Sequence, residues 1–243
     1  HSCAFFTIFI HLAELAPAIA EQTGPIPLGG HWFATQRGPG TFFPIEVKAG
    51  DPLTKISGTG LDWSVHDADV TLSGFIAPEH YGEVWKIHTV DPFQFYEEPL
   101  RSELLSKVVR KAEPRAGKID YDIDGTLSGN WFELNTNWYA GVNPSKYWSG
   151  HLSIAPDSID PNAWIFAIGY WPGSQDGSGA ADYLIVDPEI EPNNVGVGNG
   201  IIKYNLGHLI YCLLDEPDNC VTRPDGTTSL FGKHRTENAR NSF

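Results

Sequence analysis

The chain has 243 residues, of which 41% are hydrophobic and 19% charged, and its formal net charge is −14. Such a composition supports a packed core and excludes global disorder. With 30 acidic residues against 16 basic ones, the surface repels phosphate backbones and anionic lipid heads, which excludes nucleic acid as a partner. Cations, basic partners and neutral ligands such as sugars remain. No apolar run approaches the roughly 20 residues that span a bilayer, so no membrane insertion is expected.

Gly and Pro, 25 and 18 in number, punctuate short runs of Ile, Val, Phe, Tyr and Trp. That texture predicts many short strands joined by turns. In chain order, Ala4–Leu12 reads as a strand and Leu12–Glu21 as a short helix. A Gly/Pro-rich loop follows from Gly24 to Gly40. Phe43–Val47, Leu53–Ser57, Leu61–His66, Val70–Ile76 and Val84–Val90 read as strands, with a tight turn at Ala49-Gly50-Asp51. Pro99–Ala112 is the best helix, because Leu100, Leu104, Leu105, Val108 and Val109 recur at helical spacing. After a linker at Glu113–Gly117 come strands at Ile119–Ile123, Asn130–Leu134, His151–Ala155, Trp164–Gly169, Tyr183–Val186 and Ile201–Leu206. Asp187–Gly200 reads as a long loop. The expected fold is all-β, with two β-sandwich or barrel modules and one or two short helices. The expected modules are residues 1–114 and 115–221, followed by a polar tail at 222–243.

There is no methionine, so the chain is expected to be a processed product or a fragment. Cys212 and Cys220 flank an Asp-Glu-Pro-Asp-Asn turn, a spacing that suits a local disulfide with Cys3 left over, although the other pairings stay open. No Cys-x-x-Cys spacing exists. An extracellular or envelope setting is the expectation.

Residues 4–70 carry an ordered set of motifs. Phe9-Ile10-His11-Leu12 comes first, then Ile45-Glu46-Val47-Lys48-Ala49-Gly50-Asp51, then Ile56-Ser57-Gly58-Thr59-Gly60 and Leu61-Asp62-Trp63-Ser64-Val65. The order resembles the C-terminal half of the lysostaphin-like zinc endopeptidases, whose pattern runs aromatic-x-His-Leu, Val-Lys-x-Gly-Asp, Gly-x-Thr-Gly and His-x-His-Phe-x-Val. The resemblance implies a catalytic, non-ligand role for His11. Gly60 and Asp62 stand where the family has its paired histidines, so of these two positions only Asp62 could bind a cation. The family's first two ligands, a His and an Asp, would precede residue 1. A catalytic zinc needs three protein ligands and an open position, so the resemblance is to a degenerate member. Gly129-Asn130-Trp131 is similar to the entry strand of a lipocalin-type barrel.

Four further groups of residues carry candidate chemistry. An N-terminal His1 with a second histidine could chelate copper, as in copper monooxygenases. Asp120, Asp122 and Asp124, before Gly125, have calcium-loop spacing, although Trp131 stands where such a loop wants its glutamate. The competing reading is an alternating strand with Ile119, Tyr121 and Ile123 inward and the aspartates outward. His66-Asp67-x-Asp69 and His88-Thr89-Val90-Asp91 each pair a histidine with carboxylates, a combination that can orient a base. Trp131, Trp138, Tyr139, Tyr147 and Trp148 are interleaved with asparagines, which suits sugar stacking and hydroxyl recognition. Ligand-binding residues are therefore expected at Trp138, Tyr139, Tyr147 and Trp148. The expected function is a non-catalytic secreted protein that binds a glycan or small ligand or joins an assembly. Metal-dependent hydrolysis of peptidoglycan or peptides, with bound zinc, is the alternative, and copper oxidation a further one; calcium is the cofactor that the Asp120–Asp124 spacing would take.

Overall fold

The computed structural model describes residues 5–23, 45–56, 61–170, 180–213, 216–221 and 234–236. The described residues are built mainly from strands in three sheets, with two short α-helices and several single 310 turns. The fold is all-β. Among these residues no helix is long and apolar enough to cross a membrane.

Strands β1 (Phe5–Ile10), β4 (Asp62–Asp67) and β5 (Thr89–Val90) form one sheet in the order β1–β4–β5. Two more, β2 (Leu12–Leu15) and β3 (Thr54–Ile56), pair antiparallel with a bulge between Leu12 and Glu14. The third sheet holds β6 (Gly129–Phe132), β7 (His151–Pro156), β8 (Trp164–Ile168), β9 (Ala181–Val186), β10 (Asn205–Leu213) and β11 (Glu216–Val221). These six run as an antiparallel meander, and β12 (His234–Thr236) pairs with β10. The β10–β11 backbone pairing sets Cys212 opposite Cys220.

Two compact units are distinguished, Thr7–Ser64 in one and His1–Phe6 with Val65–Phe243 in the other. In the smaller unit, the expected tight turn is present. Gly50 has φ +93°, and Lys48 N–H donates to the Asp51 carboxylate at 2.8 Å. The helix expected from Leu12 to Glu21 instead starts at Pro17, as α1 (Pro17–Thr23). Proline suits a first helical position and pushes its predecessor out of the α region, so Leu12–Leu15 is left extended and pairs with β3.

In the larger unit, period-two alternation places Leu152, Ile154, Trp164, Phe166 and Ile185 on one face of the meander. Ile154, Trp164 and Ile185 form its buried centre, flanked by Leu127 and Tyr204. Phe132 and His151 project from the opposite face. A second core there joins Phe75, Tyr81, Ile87 and Tyr139, with Leu72, Phe132 and Tyr147 packed against it.

Three expected strands of this unit have other conformations. Val84–Val90 is a 310 turn, Val84–His88, followed by the two residues of β5. Val70–Ile76 and Ile119–Ile123 are not ladder strands. They are tied by Asp122 N–H to Gly74 O at 3.0 Å and by Gly74 N–H to the Asp120 carboxylate at 2.8 Å. The expected facing of Ile119–Ile123 is also reversed. Asp120 is 7% exposed, whereas Ile119 and Ile123 are 46% and 45% exposed. Asp120 and Asp122 turn inward because backbone amides there need acceptors, while Asp124 stays exposed. Helix α2 (Leu100–Lys107) is shorter than expected. The Arg115 guanidinium donates to the carbonyls of Leu105, in its last turn, and Val108, just past it, which adds a charged donor to the acceptors of the helix end.

Candidate functional site

Among the described residues strand β6 ends the meander, and the hairpin-like segment Asp122–Ser128 folds back beside it. Asp122 joins the two. One carboxylate oxygen accepts from Asn130 N–H at 2.9 Å and from the Asn130 side-chain amide at 3.2 Å, and the other accepts from Ile76 N–H at 3.1 Å. Gly129 has φ +140°, and a Cβ there would stand 2.8 Å from the Asp122 carboxylate, so this close approach requires glycine.

The hollow left between these segments is a groove of about 300 Å³. Its walls include Trp131, Trp138, His80 and Asp124, and Asn130 and Tyr81 also line it. Trp131 donates its indole N–H to Leu127 O at 3.1 Å, which fixes the ring while leaving it 46% exposed. Trp138 lies face to face with His80, with ring centroids 3.9 Å apart and planes within 6°. One face of the Trp138 ring is thus covered by imidazole. The Trp138 backbone has φ +50°, which is a strained conformation for a bulky residue. Among the described residues, no lysine or arginine lines the groove.

Behind Trp138 a polar network fixes the 310 turn Trp138–Ala140. The Tyr139 hydroxyl donates to Glu83 at 2.8 Å and accepts from Lys86, and Lys86 also pairs with Glu83 at 3.0 Å. Burial, and then the hydrogen bonds to Glu83 and Tyr147, push the Tyr139 pKa well above the usual phenol range, so its hydroxyl stays protonated. His151 donates from Nε2 to Tyr139 O at 3.0 Å. Burial lowers the His151 pKa more than that bond raises it.

The aromatic residues singled out from sequence therefore separate. Trp131 and Trp138 line the groove. Tyr139 is buried in the second core, Tyr147 packs against it, and Trp148 is exposed beyond Tyr147. The aspartates separate too. Asp120 binds Gly74 N–H and Lys118, Asp122 holds β6, and only Asp124 is exposed in the groove. Among the described residues, no group of three His, Cys, Asp or Glu side chains is placed to hold a metal ion. His11 is exposed in the bend between β1 and β2 with φ +65°, and Asp62 is exposed in β4. His1 and Gly60 lie outside the described residues.

The two His–Asp motifs resolve into structural bonds. His66 Nδ1 donates to Trp85 O and His88 Nδ1 to Val70 O, both at 2.7 Å. Asp67 and Asp91 accept backbone amides two residues on, from Asp69 and Phe93. A second hollow, of about 610 Å³, lies beside Val108, Val109 and Ile159. Its lysines are engaged, Lys107 with Glu103 and Lys111 with Val108 O.

No protein-family model, curated protein or solved structure matches the chain.

Proposed function

We propose that the chain is a non-catalytic extracellular or envelope-associated protein that binds a neutral glycan or small ligand in the β6 groove. The observation that carries this reading is the pair of partly exposed indoles, Trp131 and Trp138, lining one hollow beside Asn130 and Asp124. Flat apolar rings beside hydrogen-bonding groups match the faces and hydroxyls of a sugar. Trp138 is held in place by the His80 stack and by a backbone conformation that costs energy, and such strain gathers at binding sites. Preorganised rings reduce the ordering cost of binding.

The motif order in residues 4–70 supports a second part of the proposal, a degenerate kinship with the lysostaphin-like endopeptidases. Kinship with hydrolases directed at peptidoglycan favours an envelope setting over an intracellular one.

The test is a glycan array followed by titration of the retained sugar. Trp131→Ala and Trp138→Ala are each expected to weaken binding about tenfold, the loss of one stacking face. Unchanged binding in both variants overturns the groove reading, as does an array on which the unaltered protein retains nothing.

A further inference from the structure

The identity of the ligand follows from a group that the fold leaves unsatisfied, and the inference rests on the groove reading above. Tyr81 lines the groove and is 8% exposed. Its ring packs against Phe75 at 4.6 Å and Phe132 at 5.4 Å between centroids. Its hydroxyl is buried beside the Asn130 amide, and among the described residues its own proton meets no acceptor. A buried donor without an acceptor forfeits its bond to water and gains nothing in return, so such groups are rare; among the described residues the Tyr121 hydroxyl is the other one, and of the two only Tyr81 lines the groove.

Burial and then the Asp122 carboxylate hold the Tyr81 pKa above the usual phenol range, against a smaller opposite pull from the Asn130 side chain. The hydroxyl is therefore a neutral donor. Asp122 is not its acceptor in the fold: its carboxylate oxygens take the N–H groups of Asn130 and Ile76 and make no bond to Tyr81. The complementary ligand group is an acceptor. It is not an anion, because the groove holds Asp122 and Asp124 and, among the described residues, no lysine or arginine. Among the neutral acceptors a sugar offers, an acetamido carbonyl is the strongest and projects furthest from the ring. Its methyl group also suits the apolar surroundings of Phe75 and Phe132.

We propose that the groove recognises an N-acetylated amino sugar, with Tyr81 donating its hydroxyl to the acetamido carbonyl while the sugar ring stacks on Trp131 or Trp138. No covalent step is involved. Tyr81 is then the specificity-determining residue, and the two indoles supply stacking that any pyranose face can share.

The experiment titrates the full chain with three probes by calorimetry. These are the trimer of N-acetylglucosamine, the glucose trimer of the same linkage, and the fully deacetylated amine trimer. The unaltered protein is expected to bind the N-acetylated trimer about tenfold more tightly than the glucose trimer. Tyr81→Phe is expected to lose that preference while melting at the same or a higher temperature, since only a hydroxyl with an unpaired proton is removed. Equal binding of the two neutral trimers overturns the proposal, as does a Tyr81→Phe variant that keeps the preference. Tighter binding of the amine trimer also overturns it, assigning recognition to attraction by Asp124. If neither neutral trimer binds but another arrayed glycan does so through Trp131, the ligand class fails while the groove reading stands. If no glycan binds at all, both fall.

Discussion

Arg110 is a full positive charge at 5% exposure, and among the described residues none of its hydrogen bonds goes to a carboxylate. Its guanidinium donates instead to four backbone carbonyls, those of Ala112, Glu113, Pro114 and Ser158. The first three lie in one short loop, and Ser158 lies in the turn between β7 and β8. One side chain thus staples two segments and neutralises acceptors that have no helix or sheet to use them. Arg110→Ala is expected to cost about 3 kcal/mol, because several buried carbonyls lose a charged donor at once. Arg110→Lys should recover little, since an ammonium cannot span the same fork. Urea denaturation monitored by tryptophan fluorescence checks both, and a loss below about 1 kcal/mol for Arg110→Ala would remove the staple from the account. Nothing in the local sequence Val109-Arg110-Lys111 marks Arg110 as different from the basic residues around it. Its role is set by a turn 48 residues away. The same limit applies to the groove. Trp131 and Trp138 were visible as part of an aromatic cluster, but His80 and Tyr81 sit about fifty residues earlier, in a stretch whose pattern gave no hint of pairing with them.

At the scale of an element, the stretch Ile119–Asp124 is the instructive failure of pattern reading. Alternation of Ile and Asp is a sound signal for a half-buried strand when water covers one face. Here the competing demand was the backbone. Gly74, Ile76 and Asn130 present N–H groups toward this segment, and aspartate carboxylates answer them, so the polar side faces in. The isoleucines remain exposed as a consequence. Such an arrangement needs the two chains to approach closely, and Gly74 permits it. A Cβ at Gly74 would stand 2.1 Å from the backbone oxygen of Asp120, a distance that only backbone movement can relieve. Gly74→Ala is therefore expected to destabilise by more than about 2 kcal/mol and to weaken ligand binding, because displaced Asp120 and Asp122 no longer shape the groove. Thermal melting and titration of the same variant test the two halves. Unchanged stability in the Gly74→Ala variant would show that the approach is looser than described. By contrast, the meander β7–β8–β9 was legible in advance. β7 alternates, β8 and β9 are short runs rich in aromatic and β-branched residues, turn residues bound them, and their partners are their neighbours in sequence.

Over the whole molecule, the all-β class was readable because it depends on composition and local alternation, which a sequence carries directly. Pairing between distant segments was not, because it depends on which buried amides lack acceptors. The histidines sit at such pairings and give the molecule a collective property. His66 is 1% exposed and stacks on Phe6 at 4.8 Å between centroids. Desolvation lowers its pKa from the ordinary 6.5, more than the bond to Trp85 O raises it, and nearby His88 lowers it further. For His151 burial is again the main cause of a lowered pKa, with Lys86 adding to it, while Tyr139 O and Glu83 oppose. Both rings therefore bind protons more weakly in the folded protein than in the unfolded chain. Between the folded and unfolded pKa values the unfolded chain carries more protons, so stability rises with pH there and levels off above the unfolded value near 6.5. Acidification below that value should destabilise the protein, each ring contributing a slope of at most about 1.4 kcal/mol per pH unit. Denaturation midpoints collected across this range, for the unaltered chain and for His66→Gln and His151→Gln, measure the slope. Each replacement is expected to flatten it at the cost of some stability at neutral pH. If both variants keep the full slope, the acid sensitivity belongs to carboxylates, and the two imidazole rings are not the groups through which the fold senses pH.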